Sequence, residues 1–336
     1  MDATKVKPVI GILNKITSPD IEITASGGQV LIECLNAKRE EDLPDEIAKY
    51  DAVIISYSFK MSVMTIDKLQ NCKAIVCACV GFDNVDWKYA AEKGIRVFNV
   101  PDYGTNDVAD HAVALLLTYA RRILAYDNLM REDVVGNWNA RLVRDYHRLT
   151  GAKVGIVGLG RIGTAFMLRA KAFGMVPYFY DPYKESGYDR SLQVERVDNL
   201  ADLFRQCDII SIHAPLTDET MGMINYDVFK CATHRPIVIN TARGKIVKSQ
   251  DAVRALKENL IEAYLADVID EEPPRSENAF HSFASDRNIR NRVIITPHAA
   301  SYAEESQYDM RYKSAITAVK AVQNRDYFLN CINFTK

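Results

Sequence analysis

The chain has 336 residues, 48% of them hydrophobic, with 42 basic and 44 acidic side chains and a formal net charge of -2. That length and apolar content suit two cores better than one. The interspersed charge leaves no basic stripe for a nucleic-acid backbone and no polybasic run for an anionic membrane, so neither is expected as a direct partner.

In chain order, the N-terminal stretch MDATKVKPVIGILN holds an apolar run too short to span a bilayer and no small-residue cleavage pattern, which makes a cytoplasmic location the expectation. Short apolar runs then recur with helical stretches between them: 8–13, 29–34, 52–56, 73–78 and 95–99. That rhythm predicts a parallel sheet. From 106 to 131 Ala112, Leu115, Leu116, Tyr119 and Ile123 recur at helical spacing, predicting a helical segment. A second strand series follows at 153–158, 176–181, 207–213, 235–242, 261–268 and 292–298, then a long loop at 271–291 before the last of these and a final helix near 302–323. The fold class predicted is α/β, with two doubly wound, Rossmann- or flavodoxin-like parallel-sheet domains. The tail after His298 is too short for a domain of its own, so it is expected to return to the first array. The expected domains are therefore 1–100 plus 300–336, for substrate, and 101–299, for a dinucleotide, with a cleft between them bridged by two helices.

The seven cysteines, Cys34, Cys72, Cys77, Cys79, Cys207, Cys231 and Cys331, show no paired ligand spacing, and the six histidines form no HExxH string. Reduced, mostly buried thiols and no metal are the expectation.

GLGRIG at 158–163 follows an apolar strand and opens a helix, the context in which G-x-G-x-x-G cradles a pyrophosphate. Gly158 permits the tight turn, Gly160 close approach of the anion, and Gly163 close strand-to-helix packing. Asp181 ends the next strand, 18 residues after Gly163, where a carboxylate accepts hydrogen bonds from a ribose diol. Its alternative reading is a cap on the turn begun by Pro182. A carboxylate there disfavours a 2′-phosphate by about 1 to 4 kcal/mol, so NAD is preferred to NADP. Arg161 and Lys184 are nearby cations, Arg161 being better placed for the pyrophosphate.

Three polar groups end successive strands of the second array: Arg243 in NTARG, Glu272 in DVIDEEP and His298 in TPH. Singly they read as a surface ion pair, a solvated loop acid and a core histidine. With the cofactor motif they suit one task. A 2-keto acid needs a guanidinium for its carboxylate and carbonyl, a proton donor for the developing alkoxide, and an acid to keep that donor protonated.

On GFDNVD (81–86), NVP (99–101), VADHAVALLL (108–117), GIVGLGRIG (155–163), NTARG (240–244), DVIDEEP (267–273) and TPH (296–298), the chain resembles the D-2-hydroxyacid dehydrogenase family over nearly its whole length. FYDPY (179–183), LRAKAFG (168–174) and TPHAASYAEES (296–306) are similar to the C-terminal-binding protein branch, which includes NAD-sensing co-repressors as well as enzymes. The resemblance implies catalytic roles for Arg243, Glu272 and His298, and a homodimer formed through the helical segment and the region of Trp138. It also implies that amides around Val80 and Gly81 bind the substrate carboxylate. The expected cofactor set is Gly158, Gly160, Arg161, Ile162, Gly163 and Asp181, joined by His213, Pro215, Thr241 and Asp267 near later strand ends. The expected substrate set is Val80, Gly81, Arg243 and His298, and the expected partner is a small 2-keto or 2-hydroxy acid.

Two departures bear on the pocket: Cys77 and Cys79 stand where family members commonly carry arginine and glycine, and Ser301 stands where the co-repressors carry tryptophan. Tyr57, Lys60 and Met61 are further pocket candidates, better explained as core or helix-start residues. The alternative function is an NAD(H)-sensing dimeric binding protein. The segment is also similar to phosphite dehydrogenases, but those have a lysine where Val80 stands.

Overall fold

The first five strands, β1 (Val9–Asn14), β2 (Leu31–Ala37), β3 (Ala52–Ile55), β4 (Ala74–Cys77) and β5 (Arg96–Asn99), form an all-parallel sheet in the order β2-β1-β3-β4-β5. Every residue of β3, β4 and β5 is buried, which is why β3 and β4 are continuous apolar runs rather than alternating ones, while β5 carries buried Arg96 and Asn99 at its two ends. This computed structural model describes residues 7–144, 147–281, 283, 285–286 and 289–334, so four positions of the predicted loop at 271–291 (282, 284, 287 and 288) lie outside the described residues.

The chain divides into two compact units, Met1–Gly104 with Tyr302–Lys336, and Thr105–Ser301. In the first unit, the helix Glu304–Gln323 lays Ala315, Ala318, Val319 and Ala321 on one sheet face with Ile10, Ile54 and Val76. Buried Glu22 holds the same helix through a two-point pair with Arg311 at 2.7 and 2.6 Å. Arg96 then fixes the segment beyond it, donating to the carbonyls of Ala321, Asn324, Arg325 and Tyr327. Sequence pattern places the first boundary at residue 100, but Asp102 and Tyr103 are bound to Lys313 (3.2 Å) and Ser306 (3.1 Å) of this unit.

The second unit is built on seven parallel strands, β6 (Lys153–Val157), β7 (Val176–Tyr180), β8 (Glu195–Arg196), β9 (Ile209–Ile212), β10 (Ile237–Asn240), β11 (Ala263–Ala266) and β12 (Val293–Ile295). Their order is β12-β11-β10-β9-β6-β7-β8. Strand order reverses at β6, between β7 and β9, and the glycine string follows β6 directly. A crevice at such a reversal, beyond the carboxyl ends of the strands, is where open α/β sheets take ligands.

Two elements differ from the sequence reading. The two-residue strand β8 carries too little apolar pattern to be recognised. The helical segment expected over 106–131 is two helices, Thr105–Ala120 and Ile123–Glu132, because Arg122 turns left-handed at φ 56°. Its guanidinium lies over the Tyr119 ring, 4.2 Å from the centroid.

Candidate active site

The glycine loop is shaped by contacts that leave no room for side chains. Gly158 is left-handed at φ 89°, and a Cβ there would lie 2.8 Å from the Ala214 nitrogen; a Cβ on Gly163 would lie 2.1 Å from the Gly158 oxygen. Gly160 meets nothing within 4 Å and stands open. It also caps the helix Arg161–Ala172 without a side-chain hydrogen bond, so the first-turn amides of Arg161, Ile162 and Gly163 face an uncapped end. Two further observations fit a polar ligand beside this loop. Among the described residues, His213 Nδ1 and Thr241 Oγ1 are buried without a hydrogen-bond partner. Buried polar atoms are nearly always paired, so two orphans at the ends of β9 and β10 suit a bound dinucleotide amide or ribose.

Asp181, just past β7, is half-buried. Its Oδ2 accepts the Leu159 amide at 2.9 Å and its Oδ1 the Tyr183 amide at 3.0 Å. It therefore braces the glycine loop and also caps the turn after Pro182, each oxygen retaining a lone pair for a ribose hydroxyl. The Tyr183 hydroxyl in turn donates to Glu219. The exposed Pro215 presents its carbonyl to Thr220 Oγ1 at 2.6 Å.

The catalytic candidates sit beyond the carboxyl ends of three adjacent strands, β10, β11 and β12. Asn240, wholly buried, shapes the first turn: its Nδ2 donates to the Arg243 carbonyl at 3.1 Å and its Oδ1 accepts the Ala242 amide at 3.1 Å. The Arg243 guanidinium donates to the Ala242 carbonyl at 2.9 Å. Gly244, next to it, presses on the β11 loop so closely that a Cβ would lie 1.7 Å from the Ile269 oxygen.

Glu272 and His298 meet directly, His298 Nδ1 to Glu272 Oε2 at 2.6 Å. Glu272 Oε1 accepts the Ile269 amide at 3.0 Å, which anchors the carboxylate beside the ring nitrogen. His298 is left-handed, at φ 53°, a conformation that costs a non-glycine residue about 1 kcal/mol or more. Asp267 enforces it. This buried carboxylate accepts the amides of Ala299 (2.8 Å) and Ala300 (2.9 Å) and the Thr296 hydroxyl (2.6 Å), while its carbonyl accepts the His298 amide at 2.8 Å. His111 closes the network, Nε2 to Thr296 Oγ1 at 2.9 Å. Sequence reasoning gave Asp267 to the cofactor; in the structure three of its acceptor positions hold the histidine turn, and one remains. Asn240, His111 and Thr296 were not singled out, although all three stand inside the strings that carried the resemblance.

His213, next to β9, bonds Ser211 Oγ through Nε2 at 2.8 Å, and burial pushes its pKa down to about 3, so the ring is neutral. In the first unit, Val80 and Gly81 follow β4 on a half-buried loop. Met61 is buried in that unit's core, while Tyr57 is exposed.

Residues 113–300 match the family described as D-isomer specific 2-hydroxyacid dehydrogenase, NAD binding domain. The chain is 35% identical over 288 residues to the D-3-phosphoglycerate dehydrogenase of Methanocaldococcus jannaschii, covering 85% of this chain but 52% of that protein, about half its length. It is 32% identical over 314 residues to the glyoxylate reductase of Pyrococcus furiosus, covering 91% of this chain and 89% of that protein. In fold it is similar to the crystal structure of D-lactate dehydrogenase from Aquifex aeolicus complexed with NAD and lactic acid, with a TM-score of 0.84, 24% identity and coverage of 98% and 100% of the two chains. A glycine loop shaped for an anion, a His–Glu pair on the same sheet edge and a match across more than half its length together assign this chain to the D-isomer specific 2-hydroxyacid dehydrogenase family.

Proposed function

We propose that the protein is an NAD-dependent dehydrogenase that reduces a small 2-keto acid to the D-2-hydroxy acid, or runs the reverse reaction. The observation that carries this reading is the 2.6 Å contact between His298 and Glu272 on the sheet edge that also bears the glycine loop. Gly158, Gly160, Arg161, Ile162 and Gly163 would hold the pyrophosphate, Asp181 the adenosine ribose, and His213, Pro215, Thr241 and Asp267 the nicotinamide half. NADH, when bound there, would supply a hydride for carbon 2 of the substrate.

Arg243 pairs with the substrate carboxylate and draws electron density from the carbonyl. With Nδ1 committed to Glu272, His298 uses Nε2 to give its proton to the carbonyl oxygen, and as neutral imidazole takes it back in the oxidative direction. Glu272 steadies the imidazolium and fixes its tautomer. The similarity to a glyoxylate reductase along 89% of that protein favours a short, unphosphorylated acid.

The protein acts as a homodimer in the cytoplasm. The segment after the break at Arg122 exposes Ile123, Leu124, Val134, Val135, Trp138 and Leu142, an apolar run larger than a monomer tends to leave in water. Light scattering of Val135→Asp with Trp138→Ala would report a monomer. The functional test is a panel of glyoxylate, pyruvate, hydroxypyruvate and branched or aromatic 2-keto acids, with NADH loss followed by absorbance. No oxidation of NADH with any of them would overturn the reading.

A further inference from the structure

The loop that follows β4 turns three consecutive carbonyls toward the protein. The Cys79 carbonyl accepts the Val100 amide at 3.0 Å, the Val80 carbonyl accepts Asn99 Nδ2 at 2.6 Å, and the Gly81 carbonyl accepts the Cys79 thiol at 2.9 Å. Asn99 and Cys79 are 7% and 3% exposed, so both donors work from the interior. Asn99 closes β5 directly opposite Cys77, the last residue of β4, which places its carboxamide under the loop's first turn.

Because a peptide's C=O and N–H point in opposite directions, carbonyls drawn inward leave the following amides facing outward. The amides of Val80, Gly81 and Phe82 donate to no protein acceptor among the described residues. Successive outward amides form an anion-binding concavity.

We infer that Asn99 and Cys79 are positioning residues that aim the amides of Val80, Gly81 and Phe82 at the carboxylate of the substrate, and so set the protein's preference for a free acid over a neutral carbonyl compound. Through its thiol, Cys79 supplies from a side chain part of the hold on its own loop. The inference rests on the proposed reading of the site.

The test compares Asn99→Ala, Cys79→Ala and Cys79→Ser with the wild type. The probe is whichever of glyoxylate, pyruvate and hydroxypyruvate the wild type reduces fastest, set against its methyl ester. The expected result is a KM for the acid raised about tenfold in Asn99→Ala and about threefold in Cys79→Ala, with kcat changed less than about threefold. The acid-over-ester ratio of kcat/KM falls in step, NADH affinity by fluorescence stays within about twofold, and Cys79→Ser, which keeps a donor, returns to near the wild-type ratio. The ratio is taken on one sample and is independent of how much of it is folded; if Asn99→Ala does not fold, the two Cys79 variants decide. An unchanged ratio in the alanine variants, a serine variant that behaves as alanine, or a wild type indifferent to esterification overturns the inference while leaving the dehydrogenase reading in place. A wild type inert toward all the acids overturns both.

Discussion

The Asp181 carboxylate reaches back to the amide of Leu159 at 2.9 Å, tying the acid expected at the adenosine ribose to the glycine loop itself. One side chain thus carries two separable quantities, the charge that opposes a 2′-phosphate and the acceptor that braces the loop. Asp181→Asn removes the charge and retains one acceptor. In fluorescence titration its NADH-over-NADPH preference should fall about tenfold or more, consistent with a repulsion of about 1 to 4 kcal/mol. Asp181→Ala should lose preference equally and also about 1 to 3 kcal/mol of stability, since two amides lose their partner.

Arg243→Ala should leave NADH binding largely intact, because the side chain is assigned to the substrate. Reduction should drop by more than about a hundredfold, the loss of a few kcal/mol of charge-assisted binding. Arg243→Lys should recover only part of it, a point charge replacing a planar fork. A fall of less than about tenfold in the alanine variant would speak against the assignment.

His298 and Glu272 should behave as a unit. His298→Gln removes the proton donor and should lower kcat by about two to four orders of magnitude. Glu272→Gln should cost less, and the double variant little more than His298→Gln alone. Glu271 is the internal control: it pairs with Arg275 at 3.3 Å in solvent, so Glu271→Gln should change turnover little. Full additivity in the cycle would dissolve the pair.

His213 sets an acid-side limit on stability. Its folded pKa is held down at about 3 by burial, while the unfolded chain titrates near 6.5. Its contribution is therefore complete above pH 6.5 and declines as pH falls, because the unfolded state takes up a proton that the folded state refuses. Between pH 7 and pH 5 that costs about 2 kcal/mol. His213→Gln removes the term, so urea midpoints at the two pH values should lie closer together in the variant than in the wild type.

The strands and the strand-end residues were legible because a sheet covered on both faces demands unbroken apolar runs, and polar residues at their ends interrupt the pattern sharply. Arg243, Glu272 and His298 showed themselves in this way. What the sequence hid was the supporting layer. Asn240 and Thr296 sit inside or beside those runs, where polarity looks like noise, and His111 lies on a helix 185 residues away from its partner. The break at Arg122 was hidden because nothing in an arginine announces a left-handed turn; its guanidinium lies over the nearby Tyr119 ring and within 3.9 Å of the distant Glu262.

Gly244 has a meaning for how such an enzyme can be rebuilt. Its α-carbon lies against the Ile269 carbonyl, and the Ile269 amide holds Glu272. The arginine turn and the glutamate turn are thus mated parts, cut to one another's shape. A chimera that imports only 240–247 or only 266–273 from a relative would bring a mismatched half. Exchange of substrate specificity by grafting should work only when both segments travel together.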